Sequence, residues 1–224
     1  MTRPPLVILR PQPGAEQTRE RAEKAGWQTV VAPLFEIIPQ AWIAPDADEF
    51  DAVMATSANA LMYSGNVLTQ LTQLPCYAVG RRTALEARAA GFFDIEIGDG
   101  NAQALADRLR EDGKKRVLHL AGERVRAFDE TGLEITRVTT YRALEIEPEG
   151  LADALQSPAI VMLHSPHAAE TFDGWCRSSG VVRDHVALVA ISGNTADAAG
   201  SGWREIAIAE SPGDAPLLDA ALRC

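Results

Sequence analysis

The sequence has few cysteines and no long apolar segment. Its three cysteines, Cys76, Cys176 and Cys224, are widely spaced and form no Cys-x-x-Cys pair, so we predict neither a disulfide framework nor a zinc site. No apolar run approaches the roughly 20 residues that a membrane span needs. The first residues lack the small-residue cleavage site of a signal peptide. These absences predict a reduced, cytoplasmic protein that does not dock on membranes.

Positive charge is also scarce. Lys and Arg together number 21 against 31 Asp and Glu, which gives a formal net charge of −10 and argues against broad nucleic-acid binding. An anionic small ligand remains possible, because a few fixed donors can reverse the potential inside a cleft. Gly-x-Ser-x-Gly, Gly-x-Gly-x-x-Gly and Walker motifs are missing, so serine hydrolysis and nucleotide binding have no positive support.

What is present is a regular alternation of short apolar strands and helical stretches, each helix ending at a glycine followed by an apolar residue. Strands alternating with helices of this length indicate βαβ units, hence parallel sheets covered on both faces. One of the predicted helical stretches is 123–133, "ERVRAFDETGL". About ten strands are predicted, namely 6–9, 29–31, 51–56, 77–80, 94–97, 117–122, 134–138, 159–163, 187–191 and 204–208.

Ten strands are too many for one ordinary sheet in 224 residues. Five of them fall between residues 51 and 138, which predicts one domain inserted into another after its second strand. We therefore predict a discontinuous α/β domain of residues 1–36 and 146–224, and an inserted α/β domain of residues 37–145. Proline-marked extended segments at about 33–39 and 140–148 would form the linker between them.

Two motifs recur about half a chain apart. "VMATSANA" (53–60) returns as "VMLHSPHA" (161–168), and "AVGRRTA" (78–84) returns as "AISGNTA" (190–196). The segment from 117 to 138 likewise parallels the segment from 7 to 32, so the halves look like circular permutations of one doubly wound unit. Because open parallel sheets bind ligands beyond the carboxyl ends of their strands, two such edges facing each other would line a cleft with duplicated motifs.

The strand-to-helix turns supply hydroxyls, backbone N–H groups and arginines. Ser57 and Ser165 occupy N-cap positions, and several N-termini aimed at one cleft would bind an anion, although simple capping explains each serine alone. Arginines follow the carboxyl ends of strands, where a bidentate fork suits carboxylate recognition and a solvated surface role is the alternative. They are Arg10, Arg81, Arg82, Arg124 and Arg126.

Tyr141 and a histidine pair stand apart from these turns. Tyr141 lies in the second linker, where its phenol could donate a proton or a hydrogen bond, or could simply be buried. His164 and His167 have the i, i+3 spacing of metal ligands, but no third ligand accompanies them. We predict no metal site.

Taken in order, the motifs resemble the uroporphyrinogen-III synthase family along essentially the whole chain. The elements that carry the resemblance are Arg10-Pro11, "TSANA" (56–60), "AVGRRTA" (78–84), "VLHLAGERVR" (117–126), "VTTYRA" (138–143), "HSPHAAETF" (164–172), "AISGNTADAA" (190–199) and "AESP" (209–212). The resemblance implies two flavodoxin-like domains joined by a two-stranded linker. It also implies an enzyme without cofactor that cyclises hydroxymethylbilane to uroporphyrinogen III, with inversion of ring D and loss of water, in the interdomain cleft.

The resemblance further implies a role for particular residues. Tyr141 would assist departure of the substrate hydroxyl. Substrate binding is expected from Arg10, Thr56, Ser57, Asn59, Arg81, Thr83, Gly122, Arg126, His164, Ser165, Ser192, Asn194 and Thr195. We expect a monomer, with transient contact to the enzyme that supplies the bilane as its one possible partner.

Two other classes of function stay open at this point. A non-catalytic hinged protein that binds an anionic small molecule would also have two α/β domains and a cleft. A hydrolase acting on an anionic substrate is a weaker alternative, because the sequence offers no recognisable nucleophile.

Overall fold

The structure is a computed structural model that describes residues 3–224. Over these residues, strands and helices alternate along the chain. The strands are β1 (Leu6–Ile8), β2 (Thr29–Val31), β3 (Phe35–Pro39), β4 (Ala52–Ala55), β5 (Cys76–Ala78), β6 (Ile95–Ile97), β7 (Arg116–Gly122), β8 (Glu134–Glu145), β9 (Ala159–Leu163), β10 (Val186–Ala190) and β11 (Glu205–Ile208). The α-helices are α1 (Gly14–Lys24), α2 (Ala58–Met62), α3 (Arg81–Ala89), α4 (Ala102–Glu111), α5 (Leu151–Ala154), α6 (Pro166–Ser179), α7 (Gly193–Ala198) and α8 (Asp214–Ala221).

These elements form two compact units. Unit 1 contains the described residues up to Glu36 together with Leu144–Cys224, and unit 2 contains Ile37–Ala143. The chain passes from one unit to the other twice, within β3 and again within β8.

Unit 1 is built on a sheet with strand order β11-β10-β9-β1-β2, in which every neighbouring pair is parallel. All five residues of β9 and of β10 are buried, as expected for parallel strands covered on both faces. Leu6 and Ile8 of β1 pack against Ala22 of α1 and Leu217 of α8 on one face. Helices α6 and α7 contact β9 and β10.

Unit 2 has the strand order β3-β8-β7-β4-β5-β6, and the pairs from β8 to β6 are parallel. Leu61 of α2 and Ala87 of α3 pack in one cluster with Val53 of β4, and Leu105 of α4 packs in another with Met54. Adjacent residues of β4 therefore serve opposite faces of the sheet. Both units are doubly wound, flavodoxin-like α/β folds, as predicted.

The predicted circular permutation is confirmed by strand order and register. If β7, β8, β4, β5 and β6 are matched with β1, β2, β9, β10 and β11, the two sheets have the same spatial order. In unit 2, Val53 pairs with Cys76. Their counterparts in the repeat, Val161 and Leu188, pair in unit 1. The repeated motifs therefore occupy equivalent strand-to-helix turns.

The helix predicted at 123–133 is wrong: no helix forms there. The segment is irregular, because side chains of α4 bind its backbone in place of helical hydrogen bonds. Gln103 Oε1 accepts from the Asp129 N–H at 2.8 Å, and Arg110 Nε donates to the Thr131 carbonyl at 2.8 Å.

Candidate functional site

A pocket of about 390 Å³ opens in unit 2 at the carboxyl ends of β4 and β7; we call it the unit 2 pocket. Hydroxyl groups, amides, glycines and two arginines line it. The lining residues are Thr56, Ser57, Val79, Gly100, Asn101, Ala102, Gln103, Gly122, Arg124, Val125, Arg126, Ala127 and Tyr141. Five of the residues predicted for substrate binding or catalysis are thus brought together: Thr56, Ser57, Gly122, Arg126 and Tyr141.

A β-bulge aims Tyr141 into this pocket. Along β7 and β8 the pairing advances from Ala121 with Thr139 to Gly122 with Tyr141, so Thr140 is an extra residue. Thr140 is buried, and its hydroxyl donates to the Ala60 carbonyl at 2.8 Å. The bulge changes the alternation of β8 at this point and brings the Tyr141 ring to the lining of the pocket.

The Tyr141 ring lies directly on Gly122. A methyl group at Gly122 would stand 2.6 Å from Tyr141 Cζ, so only glycine leaves room for the ring in this position. The phenol donates a hydrogen bond to Ser57 Oγ at 3.1 Å. Gly122 therefore sets how deeply the ring sits, and Ser57 holds its hydroxyl.

Ser57 uses both of its acceptor sites within the protein. Its Oγ caps α2 by accepting from the Asn59 N–H at 3.2 Å, and it also accepts from Tyr141. A serine hydroxyl has two acceptor lone pairs and one hydrogen to donate. The remaining group is the hydrogen, so Ser57 can donate to a ligand in the pocket.

Thr56 forms a hydrogen bond with a buried histidine that was not among the predicted site residues. His119 lies in β7, is fully buried, and places Nε2 2.9 Å from Thr56 Oγ1. Its ring packs edge-on against Phe128. Burial, together with the positive charge of Arg137, lowers the pKa of His119 to about 4. The histidine is therefore neutral at physiological pH.

The basic side of the pocket is the first half of the segment that was predicted to be helical. Residues 123–127 are exposed, and they include Arg124 and Arg126. The contacts made by α4 hold the segment further along, at Asp129 and Thr131. The arginines thus project from an irregular stretch that directly follows β7.

Three of the residues predicted in unit 2 do not line the pocket. Asn59 contributes its backbone N–H to Ser57. Arg81 is exposed at the first position of α3. Thr83 is buried in the same helix, with 4% of its surface exposed.

In unit 1 all of the predicted binding residues except Arg10 follow β9 and β10. Ser165 caps α6 by accepting from the Ala168 N–H at 3.1 Å. Ser192 caps α7, and its Oγ lies 3.0 Å from Thr195 Oγ1. Thr195 is fully buried beneath it, whereas Asn194 is exposed.

Arg10 and His164 share one buried carboxylate in unit 1. Arg10 donates to Asp214 Oδ1 at 3.2 Å, and His164 Nε2 lies 3.0 Å from the same atom. Thr18 and Arg21 bind the other oxygen of Asp214. The guanidinium of Arg10, predicted to bind a substrate carboxylate, is thus already paired with a carboxylate of the protein.

Burial and hydrogen bonding have opposite effects on the pKa values of Asp214 and His164. Burial alone would raise the pKa of Asp214, but the hydrogen bond from His164 and the charges of His164 and Arg10 lower it well below its ordinary value. Burial lowers the pKa of His164, and the hydrogen bond with Asp214 offsets this effect only in part. The carboxylate is therefore ionised at any physiological pH.

Sequence reasoning missed Asp214, His119, Asn101 and Gln103. A histidine in the middle of an apolar strand was a readable signal for His119. Asn101 sits at the N-cap of α4, where its Oδ1 accepts from the Ala104 N–H at 2.8 Å. No sequence pattern indicates the partner of Asp214, because the contact joins residues some 200 positions apart.

Within residues 3–224, no group of three or more His, Cys, Asp or Glu side chains could hold a metal ion. His167 instead packs on the Phe35 ring at a centroid distance of 4.5 Å. In the same part of the chain, no helix is both long and apolar enough to cross a membrane.

The fold and the pocket define a class: a two-unit, doubly wound α/β protein with a hydroxyl- and arginine-lined site at a sheet edge. A family model described as "Uroporphyrinogen-III synthase HemD" matches residues 16–219. The chain belongs to the uroporphyrinogen-III synthase family. It is accordingly a cyclising lyase of tetrapyrrole biosynthesis that acts on hydroxymethylbilane, which decides against the alternative of a non-catalytic binding protein.

Solved structures agree with this fold. The uroporphyrinogen-III synthetase of Helicobacter pylori is 18% identical, with a TM-score of 0.67 and 99% of each chain covered. A mutant uroporphyrinogen III synthase of Thermus thermophilus is also 18% identical, with a TM-score of 0.57 and coverage of 98% of this chain and 99% of the other. A search of curated proteins finds no significant match.

Proposed function

We propose that the unit 2 pocket binds hydroxymethylbilane and that Tyr141 assists the departure of its hydroxyl group. One observation carries this proposal: the Tyr141 phenol lines the pocket, seated on Gly122 and held by Ser57 at 3.1 Å. Three lining residues carry hydroxyl groups, Thr56, Ser57 and Tyr141, and Tyr141 is the one that carries a phenol. Its reach beyond the strand allows it to approach a leaving group.

The reaction requires a proton donor near the oxygen of the leaving hydroxyl group. When the C–O bond of the hydroxymethyl group breaks, the oxygen leaves as water if it receives a proton, and an azafulvenium-like cation remains on the bilane. That cation attacks the substituted position of ring D, and the spiro intermediate fragments and recloses with ring D inverted. Reclosure at the unsubstituted α-carbon of ring D releases the proton of that carbon, which balances the proton that the leaving hydroxyl received. A positioned general acid contributes typically about 10²–10⁴-fold to such a step. Tyr141 is the group we assign to it.

The same pocket would bind carboxylate groups of the substrate. Hydroxymethylbilane carries eight carboxylates on acetate and propionate arms, and the protein has a net charge of −10, so binding depends on local donors. Ser57 and Thr56 supply hydroxyls, and Arg126 supplies an exposed guanidinium. Because the bilane can also close without inversion, the main task of such contacts is to hold it in the inverting geometry.

Unit 1 is proposed to bind substrate through the turns after β9 and β10. Ser165 and Ser192 each cap a helix there, and Asn194 is exposed on α7. Arg10 is a different case, since a substrate carboxylate would have to compete with Asp214 for its guanidinium. We therefore propose that the main role of Arg10 is to pair with Asp214 and that substrate binding is a secondary role.

The monomeric state and the cytoplasmic location expected from the sequence are also proposals. Cys76, Cys176 and Cys224 are free thiols, as in a reducing compartment. Sedimentation equilibrium of the purified protein tests the first proposal, and cell fractionation tests the second.

The experiment for Tyr141 is a pair of matched substitutions. Tyr141→Phe should slow turnover of enzymatically prepared hydroxymethylbilane by about ten- to a thousandfold. Tyr77→Phe is the control, because it removes a hydrogen bond of 2.8 Å to Asp112 in the same unit from a residue that does not line the pocket. The control should lose stability and keep its turnover number. Unchanged turnover in Tyr141→Phe would remove this residue from the mechanism.

A further inference from the structure

The buried histidine next to Thr56 determines whether the Thr56 hydroxyl donates or accepts a hydrogen bond in the unit 2 pocket. His119 Nε2 lies 2.9 Å from Thr56 Oγ1, and Thr56 is a lining residue. The other ring nitrogen, Nδ1, is buried and has no hydrogen-bond partner among residues 3–224. These facts restrict where the single N–H hydrogen of the neutral imidazole can reside.

The two tautomers differ in cost. A hydrogen on Nδ1 would leave a buried N–H donor without an acceptor, which is rare in folded proteins because the lost hydration is not replaced. A hydrogen on Nε2 is bonded to Thr56, and Nδ1 then keeps only an unused lone pair. The second arrangement leaves no donor unpaired. The Phe128 ring packed against His119 holds the imidazole in place.

We propose that His119 is a positioning residue, which donates from Nε2–H to Thr56 and thereby directs the Thr56 hydroxyl hydrogen into the pocket as a donor to a substrate carboxylate. Apart from His119, Thr56 Oγ1 has no hydrogen-bond partner in the described part of the chain, so its hydrogen is available to a ligand. With the opposite tautomer, Thr56 would donate to the histidine and present lone pairs, which repel an anion. The inference rests on the proposed function of the pocket and names the group that Thr56 recognises.

The tautomer can be measured without any substrate. In protein labelled with ¹⁵N-histidine, long-range ¹H–¹⁵N spectra distinguish a protonated Nε2 from a protonated Nδ1, and loss of one set of signals in His119→Gln assigns the residue. We expect a protonated Nε2. A protonated Nδ1 in the wild-type protein would overturn the inference and leave the role of Tyr141 untouched.

Kinetics then test the route through Thr56. Removing a hydrogen bond to a charged group is expected to weaken binding about tenfold or more. Thr56→Val should therefore raise KM about tenfold with kcat within about twofold of the wild type. His119→Leu should raise KM as well, and His119→Gln should recover much of the loss, because its amide places an N–H near the former Nε2.

The double variant separates a positioning role from a general loss of structure. In Thr56→Val/His119→Leu, KM should equal that of Thr56→Val within about twofold, since His119 has nothing left to orient. Multiplying effects, or an unchanged KM in Thr56→Val, would overturn the inference. Thr136→Val makes the same substitution at an exposed position near the start of β8, outside the pocket lining, and should leave KM unchanged. Unchanged turnover in Tyr141→Phe would instead count against the proposed function alone.

Discussion

Gly122→Ala tests how the pocket holds its phenol. Gly122 does not have a positive φ, so its backbone accepts alanine without strain. The added methyl group would stand 2.6 Å from Tyr141 Cζ and 2.8 Å from Tyr141 Oη. The substitution therefore acts on Tyr141 by contact while leaving the Tyr141 side chain chemically intact.

The size of the effect follows from these distances. Carbon atoms in contact lie about 3.5–4.0 Å apart, so the ring must retreat by roughly 1 Å. That displacement is large compared with the tolerance of the 3.1 Å hydrogen bond to Ser57. A misplacement of about 1 Å can cost about a hundredfold in rate. We expect kcat/KM to fall between about ten- and a hundredfold, with an overpacking cost of about 1–3 kcal/mol in the free energy of unfolding.

The assay is turnover of hydroxymethylbilane with the product isomers resolved. Gly98→Ala is the matched control, because its methyl group would meet Leu105 Cδ1 of α4 at 2.8 Å and leave Tyr141 alone. The control should lose stability and keep its turnover. Tyr141→Phe added to Gly122→Ala should bring little further loss. Wild-type turnover in Gly122→Ala would refute the reasoning.

Three further predictions concern stability and are measured by urea unfolding. Because His119 has a folded pKa of about 4 against an ordinary 6.5, the unfolded chain binds a proton between these values that the folded chain does not. Acid should therefore lower the free energy of unfolding by about 1.6 kcal/mol from pH 6.5 to pH 5, and His119→Leu should lack this part of the slope. Asp214→Ala should cost about 3 kcal/mol by leaving the partly buried Arg10 guanidinium and the buried His164 imidazole without their carboxylate, whereas Asp219→Ala on the exposed face of the same helix should cost little. The contribution of Asp214 should be present above pH 4 and decline as the pH falls further, because its folded pKa is lowered. Ser165→Ala removes the cap bond to the Ala168 N–H and should cost about 1 kcal/mol; an unchanged unfolding midpoint would show that water replaces the cap.

Local patterns predicted most of the fold. The buried strands read as continuous apolar runs, and glycines that end helices were recognisable because the chain turns left-handed there, as at Gly26 (φ +82°) and Gly91 (φ +101°). The repeat of "VMATSANA" predicted that the two motifs occupy matching strand-to-helix turns, and the equivalent strand pairs of the two units agree with that prediction. Gly132 also has a positive φ, but no helix precedes it. A glycine of this kind therefore predicts a left-handed turn, but it does not predict that a helix precedes the turn.

The site was less readable, because its decisive contacts join residues that are distant along the chain. The hydroxyls and arginines at strand ends were identified from their position. The bulge that aims Tyr141 was not, since it depends on how β8 pairs with β7. The pairing of Arg10 with Asp214 was also hidden, because it requires α8 to pack beside β1.

The most direct test of the whole account is to supply the purified protein with freshly made hydroxymethylbilane and to separate the isomers that form. Uroporphyrinogen III, produced well above the spontaneous rate, is the predicted result. Type I isomer alone, at the rate of ring closure without protein, would contradict the account.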